Sequence, residues 1–424
     1  MSTLDKLYRR LMADSMHRNS TLLILSQLIN AGGLFLFWII NARLFAANLV
    51  GLAAAFVSFG ILAATFTNLG LPNTVIRFLP SSHRKGGLFA AALLLVTVSS
   101  LLGGVLAWLL QPRVSPSLAF AHSSTVFSLL LILLVAGTAV TALLDGTLVS
   151  FRKGEYVLWK AVLVNLPRLA LPFVIVSAGV RGMTEVYVVT LLIGIGYNLV
   201  IIFSRLLARE NLQPTLAEVK HHKAYAASNY FGGMFGVLPV TIVPIIVLNV
   251  LGATSAAYFY MPMMIAALIS LICNAISQAL ISESSQTDDA ALHRQYFRKA
   301  LRHQYRLLVP LIIVLSVIGW PLLRMYGPAY ASHGYMPLVI LLISGLLVGL
   351  NWLGDTWLNI NKRSPAYFLM NACNALAVVG FVRLFAPHGL TWVAIGWFCG
   401  QLLSAAIYLV IFARGQLLSA VRGR

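Results

Sequence analysis

Long apolar stretches follow one another along the whole chain, each close to the length of a membrane-crossing helix. The pattern predicts about twelve spans, at 22–44, 50–70, 88–110, 125–149, 156–179, 186–204, 227–250, 255–280, 307–323, 336–358, 366–386 and 391–413. A helix needs roughly 20 apolar residues to cross the hydrocarbon core of a bilayer. Apolar residues within each stretch are continuous rather than alternating, which favours helices over the strands of a membrane β-barrel. The sequence therefore predicts an all-α polytopic membrane protein.

Composition and charge agree with this prediction and orient the chain. The 424 residues are 59% hydrophobic and 10% charged, and the formal net charge is +19. If the N-terminus is placed in the cytoplasm, 23 of the 30 Lys and Arg residues fall in inner segments, 3 in outer loops and 4 within spans. Inner loops of membrane proteins are rich in Lys and Arg. We therefore expect both termini to be cytoplasmic, and we attribute the positive charge to topology rather than to nucleic-acid binding.

Twelve spans divide into two halves of six, and the sequence carries weak signs of an internal repeat. Asp145 ends the fourth span in "LLDGTL", and Asp355 ends the tenth in "LGDTWL", 210 residues later. Both halves start inside and contain an even number of spans. The expected architecture is two six-helix lobes related by a pseudo-two-fold axis along the membrane normal. The predicted division is an N-terminal lobe at 1–208, a cytoplasmic linker at 209–226 and a C-terminal lobe at 227–424.

One span carries an arginine near its centre. Arg168 lies about a dozen residues into the fifth span, with Asn165 one turn before it and with Pro167 and Pro172 close by. An ionisable side chain at mid-bilayer costs about 3 kcal/mol or more and tends to face a cavity or a partner. The prolines are expected to break the helix locally, which membranes tolerate only where the backbone is buried in protein or lines a water-filled cavity. Two interpretations remain open: a substrate-binding role in a central cavity, or an ion pair inside a lobe.

The other charges within or at the ends of spans leave similar alternatives. Lys160 lies nearer the inner end of the fifth span, where it can reach the headgroups, pair with Asp145 on the neighbouring span, or line the cavity. Asp145 and Asp355 lie near the inner ends of their spans, and each is either a structural ion-pair partner or an ion-coupling group. Arg43 lies near an outer end, where a long side chain reaches the interface by default. A cavity role for Arg43 stays open because Asn41 precedes it.

Motifs for other functions are absent from the sequence. There is no phosphate-binding loop ending in Lys-Ser or Lys-Thr, no Cys/His spacing typical of a metal site, and no paired-carboxylate or nucleophile arrangement. We therefore expect neither an enzyme nor a bound cofactor or metal. Two basic segments, "LDKLYRRLM" at 4–12 and "LHRQYFRKALRHQYRLL" at 292–308, are predicted to form cationic helices on the inner leaflet, against anionic lipids.

Three stretches stand out as local motifs: "NARLFAANLVGLAAAFVS" (41–58), "NLGLPNTVIRFLP" (68–80) and "RMYGPAYASHGYMPLVILLISGLL" (324–347). They resemble the polysaccharide flippases of the multidrug/oligosaccharidyl-lipid/polysaccharide exporter superfamily, which include O-antigen-type flippases. The resemblance implies alternating access, a cationic central cavity and a lipid-linked cargo of the undecaprenyl-pyrophosphate type, moved from the inner to the outer leaflet of the bacterial cytoplasmic (inner) membrane. It also implies a place in lipopolysaccharide or other surface polysaccharide biosynthesis, beside polymerases and glycosyltransferases of the same pathway.

On this interpretation the residues expected to bind the pyrophosphate are Arg168, Asn165, Lys160 and Arg43. Three alternatives remain. A multidrug or small-molecule antiporter of the same superfamily would be expected to place carboxylates in its cavity. A polytopic glycosyl- or acyl-transferase would need outward-facing catalytic residues, and a structural membrane partner would need no cavity. The six-plus-six layout argues against the last two.

Overall fold

The computed structural model describes residues 15–122, 124–175, 178–284, 289–361 and 363–422. This part of the chain forms α-helices joined by short turns, and it contains no strand. The helices are α1 Ser15–Leu44, α2 Ala47–Thr65, α3 Leu71–Phe78, α4 Lys85–Val114, α5 Thr125–Ser150, α6 Gly154–Ala170, α7 Gly179–Ile201, α8 Leu216–His221, α9 Lys223–Leu251, α10 Ala253–Ala266, α11 Leu268–Ser284, α12 Ala290–Tyr326, α13 Pro328–Ile360, α14 Ser364–Phe385 and α15 Leu390–Arg422. The predicted all-α class is confirmed.

Eleven segments within the described residues are long and apolar enough to cross a membrane, and they correspond to eleven of the twelve predicted spans. Helices α10 and α11 together form one of them, Ala253–Ile281. The exception is the predicted fifth span, which is the 17-residue helix α6. At 1.5 Å per residue α6 is about 26 Å long, slightly short of the roughly 30 Å hydrocarbon core. It also carries the charged and polar residues that lower its hydropathy.

The helix α6 continues through Pro167 and ends at Ala170, so the prediction of a break at Pro167 is wrong. The change in geometry comes later, in a 3₁₀ turn at Leu171–Phe173 that contains Pro172. A proline inside a helix removes one backbone hydrogen bond. Neighbouring helices hold the rest of α6 in place, and α1 packs beside it over most of its length.

The basic segment at 292–308 is not a separate surface helix. It is the first half of α12, a continuous 37-residue helix that runs on into the predicted ninth span. The segment is helical, as predicted, but no break separates it from the span. Its contact with anionic lipids of the inner leaflet stays a prediction. The other basic segment, at 4–12, lies outside the described residues.

The fold has two lobes, and the chain divides into two compact units. The first consists of Met1–Ala46 and Phe56–Phe231, and the second of Ala47–Ala55 and Gly232–Arg424. We call them the first and second units. The segment predicted as a linker packs within the first unit rather than standing apart.

Several contacts hold that segment to the rest of the first unit, and two of them show how. The Thr215 backbone N–H donates to the Gly87 carbonyl at 3.1 Å. The His222 ring stacks on the Phe78 ring with centroids 3.8 Å apart and an interplanar angle of 10°. Burial lowers the pKa of the His222 imidazole below its ordinary value, so this stack is formed by the neutral ring.

Candidate functional site

Helix α6 positions the central arginine of the first unit. It runs parallel to α1, since the Asn19 carboxamide oxygen accepts from the Gly154 backbone N–H at 2.7 Å, and Asn165 Nδ2 donates to Asn30 Oδ1 at 3.0 Å. The two pairs have the same sequence separation. Asn165 and Arg168 are three residues apart and therefore lie on adjacent parts of one helix face.

The Arg168 guanidinium is buried, with 8% of the residue exposed. Its Nε and one Nη each donate to the Thr190 hydroxyl at 3.4 Å, which is long for a hydrogen bond. Its Cζ lies 5.2 Å from the centroid of the Tyr187 ring, within the range of a cation–π contact. Among the described residues no carboxylate lies within ion-pairing distance of Arg168. Arginine has five N–H donors, and most of those on Arg168 have no strong acceptor among the described residues.

Asn165 lies beside this guanidinium in a tight contact with α1. A Cβ on Gly33 would come within 2.0 Å of Asn165 Oδ1, so only glycine leaves room for this side chain. Asn165 Nδ2 also donates to the Ala161 carbonyl at 2.8 Å. Its Oδ1 is buried and has no hydrogen-bond partner in the described ranges of the chain. An unsatisfied buried acceptor costs about 1–3 kcal/mol, so this side chain destabilises the fold unless a hydrogen-bond donor reaches its oxygen.

Lys160 lies in a different environment on the same helix. Its Nζ donates to both carboxylate oxygens of Asp145, at 2.6 and 2.7 Å. Asn198 Nδ2 donates to Asp145 Oδ1 at 2.8 Å. Of the alternatives left open by the sequence, the structure contains the ion pair between neighbouring spans. The group joins α5, α6 and α7.

The structure does not bring together all four residues that were predicted to bind the pyrophosphate. Asn165 and Arg168 are neighbours. Lys160 lies eight residues before Arg168, about 12 Å away along α6, and faces Asp145. Arg43 is an exposed residue in the last turn of α1. It lies about 20 Å along α1 from the Asn30 that contacts Asn165. A pyrophosphate bound by Arg168 and Asn165 would therefore be out of reach of Arg43.

The second unit repeats the Asp145 arrangement with different partners. Asp355 Oδ1 accepts from Asn371 Nδ2 at 2.8 Å and from the Tyr408 hydroxyl. The group joins α13, α14 and α15, the fourth, fifth and sixth spans of the second half, just as the Asp145 group joins those of the first. Within the part of the chain that the structure describes, no Lys, Arg or His pairs with Asp355. One carboxylate thus has an internal counter-ion, whereas the other has neutral partners.

Sequence reasoning missed the side chains that surround the three charged residues. They come from helices other than those carrying the charges, and they are Tyr187, Thr190, Asn198, Asn371 and Tyr408. One signal was present. The 210-residue offset between Asp145 and Asp355 also relates Asn198 to Tyr408, and it relates Lys160 to the position before Asn371.

A cavity of about 460 Å³ lies within the second unit, between α9, α10, α11, α13, α14 and α15. Asp355 is the one charged residue among the described residues that line it. Carboxamides dominate the polar part of the lining, and tryptophan and tyrosine contribute aromatic faces. This cavity is therefore polar but nearly uncharged, unlike the surroundings of Arg168.

Solved structures of MATE transporters share this fold. An inward-facing multidrug resistance MATE family transporter of the MOP superfamily has a TM-score of 0.70 at 14% identity, over 94% of this chain and 96% of that chain. MATE in complex with MaD5 has a TM-score of 0.63 at 16% identity, with 97% of each chain covered. An outward-facing transporter of the same family has 0.62 at 12% identity, over 97% of this chain and 96% of that chain. No curated protein sequence matches the chain significantly.

The fold and the spans thus define a polytopic helical membrane protein with the fold of the MATE transporters. Within that class, the model of the family described as "Polysaccharide biosynthesis protein" matches residues 16–287. This match covers more than half of the chain, and the chain belongs to that family. The resemblance stated from the sequence is confirmed at this level.

Proposed function

We propose that this protein moves a lipid-linked oligosaccharide from the inner to the outer leaflet of the bacterial cytoplasmic membrane, for the synthesis of a surface polysaccharide. The observation that carries the proposal is the Arg168 guanidinium: it is buried, bound by a hydroxyl and an aromatic ring, and without a carboxylate partner among the described residues. Membership of a polysaccharide biosynthesis family supports a glycan as cargo.

A pyrophosphate linkage is the ligand chemistry that best suits this arginine. Charge-assisted hydrogen bonds between guanidinium and phosphate oxygens are short and strong, and the planar guanidinium can grip two oxygens at once. The long contacts to the Thr190 hydroxyl position the guanidinium without using its donors fully. Asn165 supports this site by fixing α6 against α1, since its Nδ2 already donates to Asn30 Oδ1 and to the Ala161 carbonyl. In this proposal Lys160 is a structural residue, because Asp145 already occupies its ammonium group.

The two carboxylates take different roles in the proposal. Asp145 is structural, since Lys160 neutralises it within the protein. Asp355 is the ion-coupling group, because its described partners are an amide and a phenol that leave its charge uncompensated. Binding of a proton or a monovalent cation at Asp355 would neutralise the carboxylate, and release of that ion would restore its negative charge. That difference links occupancy of the second unit to an ion gradient.

Loss of the gene tests the cargo. In a deletion strain we expect a pyrophosphate-linked oligosaccharide to accumulate on the cytoplasmic leaflet, and wild-type protein to clear it. The Arg168→Ala protein should insert normally but fail to clear the intermediate. Arg168→Lys should restore transport only in part, because Lys keeps the charge but loses the planar fork. Arg383→Ala is the matched control, since Arg383 is an exposed arginine on α14, and it should transport normally.

A small-molecule antiporter is the second candidate function. The observation that favours it is the single carboxylate in the cavity of the second unit, together with the MATE fold. In that case deletion would leave the lipid-linked intermediate unchanged, and cells would instead become more sensitive to a cationic compound. Asp355→Asn would then abolish resistance, whereas Arg168→Ala would not.

The orientation in the membrane is also a proposal, based on the asymmetric distribution of Lys and Arg. A cysteine placed at Ser332, an exposed position near the start of α13, should react with an impermeant maleimide in intact cells. A cysteine at Ser81, an exposed position between α3 and α4, should react only after the cells are opened. Labelling of the Ser81 site in intact cells would reverse the topology.

A further inference from the structure

We infer that the cavity of the second unit binds the neutral sugar units of the cargo, at a site separate from the arginine that binds its pyrophosphate. The inference rests on the proposed function and specifies where the carbohydrate is recognised. It assigns the second unit a substrate-binding role in addition to ion coupling.

The lining of the cavity has the chemistry of a carbohydrate site. Seven of the described side chains that line it are carboxamides, among them Asn274, Asn351, Asn359, Asn374 and Gln401. A carboxamide offers both a hydrogen-bond donor and an acceptor, as a sugar hydroxyl does. Among the residues that the structure describes, no Lys, Arg or His is part of the lining, so a pyrophosphate would find no described counter-charge there, whereas a neutral polyol would need none.

Aromatic faces complete the match. Trp352, Trp397 and Tyr367 contribute to the wall. The rings of these residues are apolar on their faces and polar at one edge. A pyranose has the same combination, because its C–H groups form an apolar face and its hydroxyls form a polar rim. The volume of about 460 Å³ lies in the range of roughly 300–1,000 Å³ that is typical of small-molecule sites.

Two polar atoms of the lining have no hydrogen-bond partner within the part of the chain that the structure describes. They are Asn351 Oδ1 and Ser277 Oγ, which are buried in residues that are 5% and 6% exposed. Asn351 Nδ2 is held by Gln401 Oε1 at 2.7 Å, which leaves the Asn351 acceptor free. Buried polar groups without partners are uncommon in native proteins. Small shifts of these side chains would give them sugar hydroxyls as partners.

Helix α9 provides a way to fill the cavity without disturbing the fold. Gly233 lines it, and a Cβ built on Gly233 meets no atom within 4 Å. Gly233→Leu should therefore fold and occupy part of the space meant for sugar. Gly380→Leu is the matched control, because Gly380 also faces open space and lies on α14 outside the lining.

Photocrosslinking in the cells that make the glycan tests the site directly. A benzophenone amino acid replaces Val240, an exposed position in the lining, or Leu376, an exposed position outside it. After irradiation, mass spectrometry of the purified protein should find a sugar-containing adduct at Val240 and none at Leu376. Gly233→Leu should reduce the Val240 adduct by about tenfold or more, since it displaces several hydrogen bonds and tenfold corresponds to only about 1.4 kcal/mol. Gly380→Leu should leave the adduct unchanged.

Three results would overturn the inference: a phospholipid as the sole adduct at Val240, no adduct there above the Leu376 background, or equal sugar adducts at both positions. The proposed function fails separately. If the deletion strain accumulates the lipid-linked intermediate but Val240 captures no sugar, the sugar site is wrong and the transport proposal stands. If Val240 captures sugar but no lipid-linked intermediate accumulates, the site stands and the cargo must be a different glycan.

Discussion

The ion pair between Lys160 and Asp145 gives a quantitative test of the difference between the two carboxylates. Lys160 Nζ contacts both oxygens of Asp145, and the side chains of Lys160 and Asp145 are 11% and 36% exposed. Breaking a buried pair costs about 3–5 kcal/mol, whereas an exposed pair contributes about 0–1 kcal/mol. The more buried partner is the lysine, so stranding the lysine should cost more than stranding the aspartate.

We therefore expect Asp145→Asn to lower the free energy of unfolding by about 3 kcal/mol, close to the cost for a buried pair. Lys160→Met should lower it by about 2 kcal/mol, because Asp145 keeps its bond from Asn198 and is partly solvated. The double variant should be no less stable than Asp145→Asn alone, which gives a coupling energy of about 2 kcal/mol. The free energy of unfolding is measured in SDS for the purified wild type, the two single variants and the double variant. Additive single effects, with coupling below about 0.5 kcal/mol, would refute the structural role of the pair.

Asp355→Asn is the contrasting variant in the same assay. An asparagine at this position can still accept from Asn371 and Tyr408, and no described lysine or arginine is stranded by the change. The free energy of unfolding should change by less than about 1 kcal/mol, while the dependence of transport on an ion gradient should disappear. A large loss of stability with gradient dependence intact would assign Asp355 a structural role.

Two further predictions concern packing and pH. Gly33→Ala should lower the free energy of unfolding by about 1–3 kcal/mol by overpacking against Asn165, whereas Gly32→Ala, whose Cβ meets no atom within 4 Å, should be neutral or slightly stabilising; equal stabilities would mean that the contact relaxes freely. The pKa of His222 is lowered in the folded protein, so the unfolded chain takes up the proton first as pH falls. The contribution of the neutral ring to the free energy of unfolding is therefore lost below about pH 6.5. Hydrogen exchange in α8 should therefore rise below that pH in the wild type, but not in His222→Phe, which keeps the stack on Phe78 and cannot titrate.

The sequence predicts the spans well and their contacts poorly, for a physical reason. Span positions depend on hydropathy alone, which each stretch carries in itself. Contacts depend on which face of an apolar helix meets its neighbour, and in a membrane small residues and local packing set this rather than an amphipathic pattern. The Asp145–Lys160 pair was foreseeable because both residues lie near the same turn. The position of Thr190 against Arg168 was not, since it requires the register between α6 and α7.

Helix α6 shows the same limit at a finer level. From the sequence, Pro167 and Pro172 both predict a helix break. In the structure the helix continues through Pro167 and ends before Pro172. The difference depends on tertiary contacts with α1, which begin at Gly154 and include Asn165. A single sequence contains no information about which of two prolines those contacts will tolerate.

The pairing of Lys160 with Asp145 has a meaning for the ancestry of the two halves. If the halves descend from one duplicated gene, both copies once had the same acid at the end of the fourth helix. The first copy then acquired a lysine side chain beside the acid, whereas in the second copy only a bound proton or cation can neutralise it. An Asn371→Lys exchange would bring the second copy to the same end point. In such a protein the lysine would neutralise Asp355 permanently, so an ion could no longer bind and be released there. Its transport would show whether the second half functions because its acid has no built-in counter-ion.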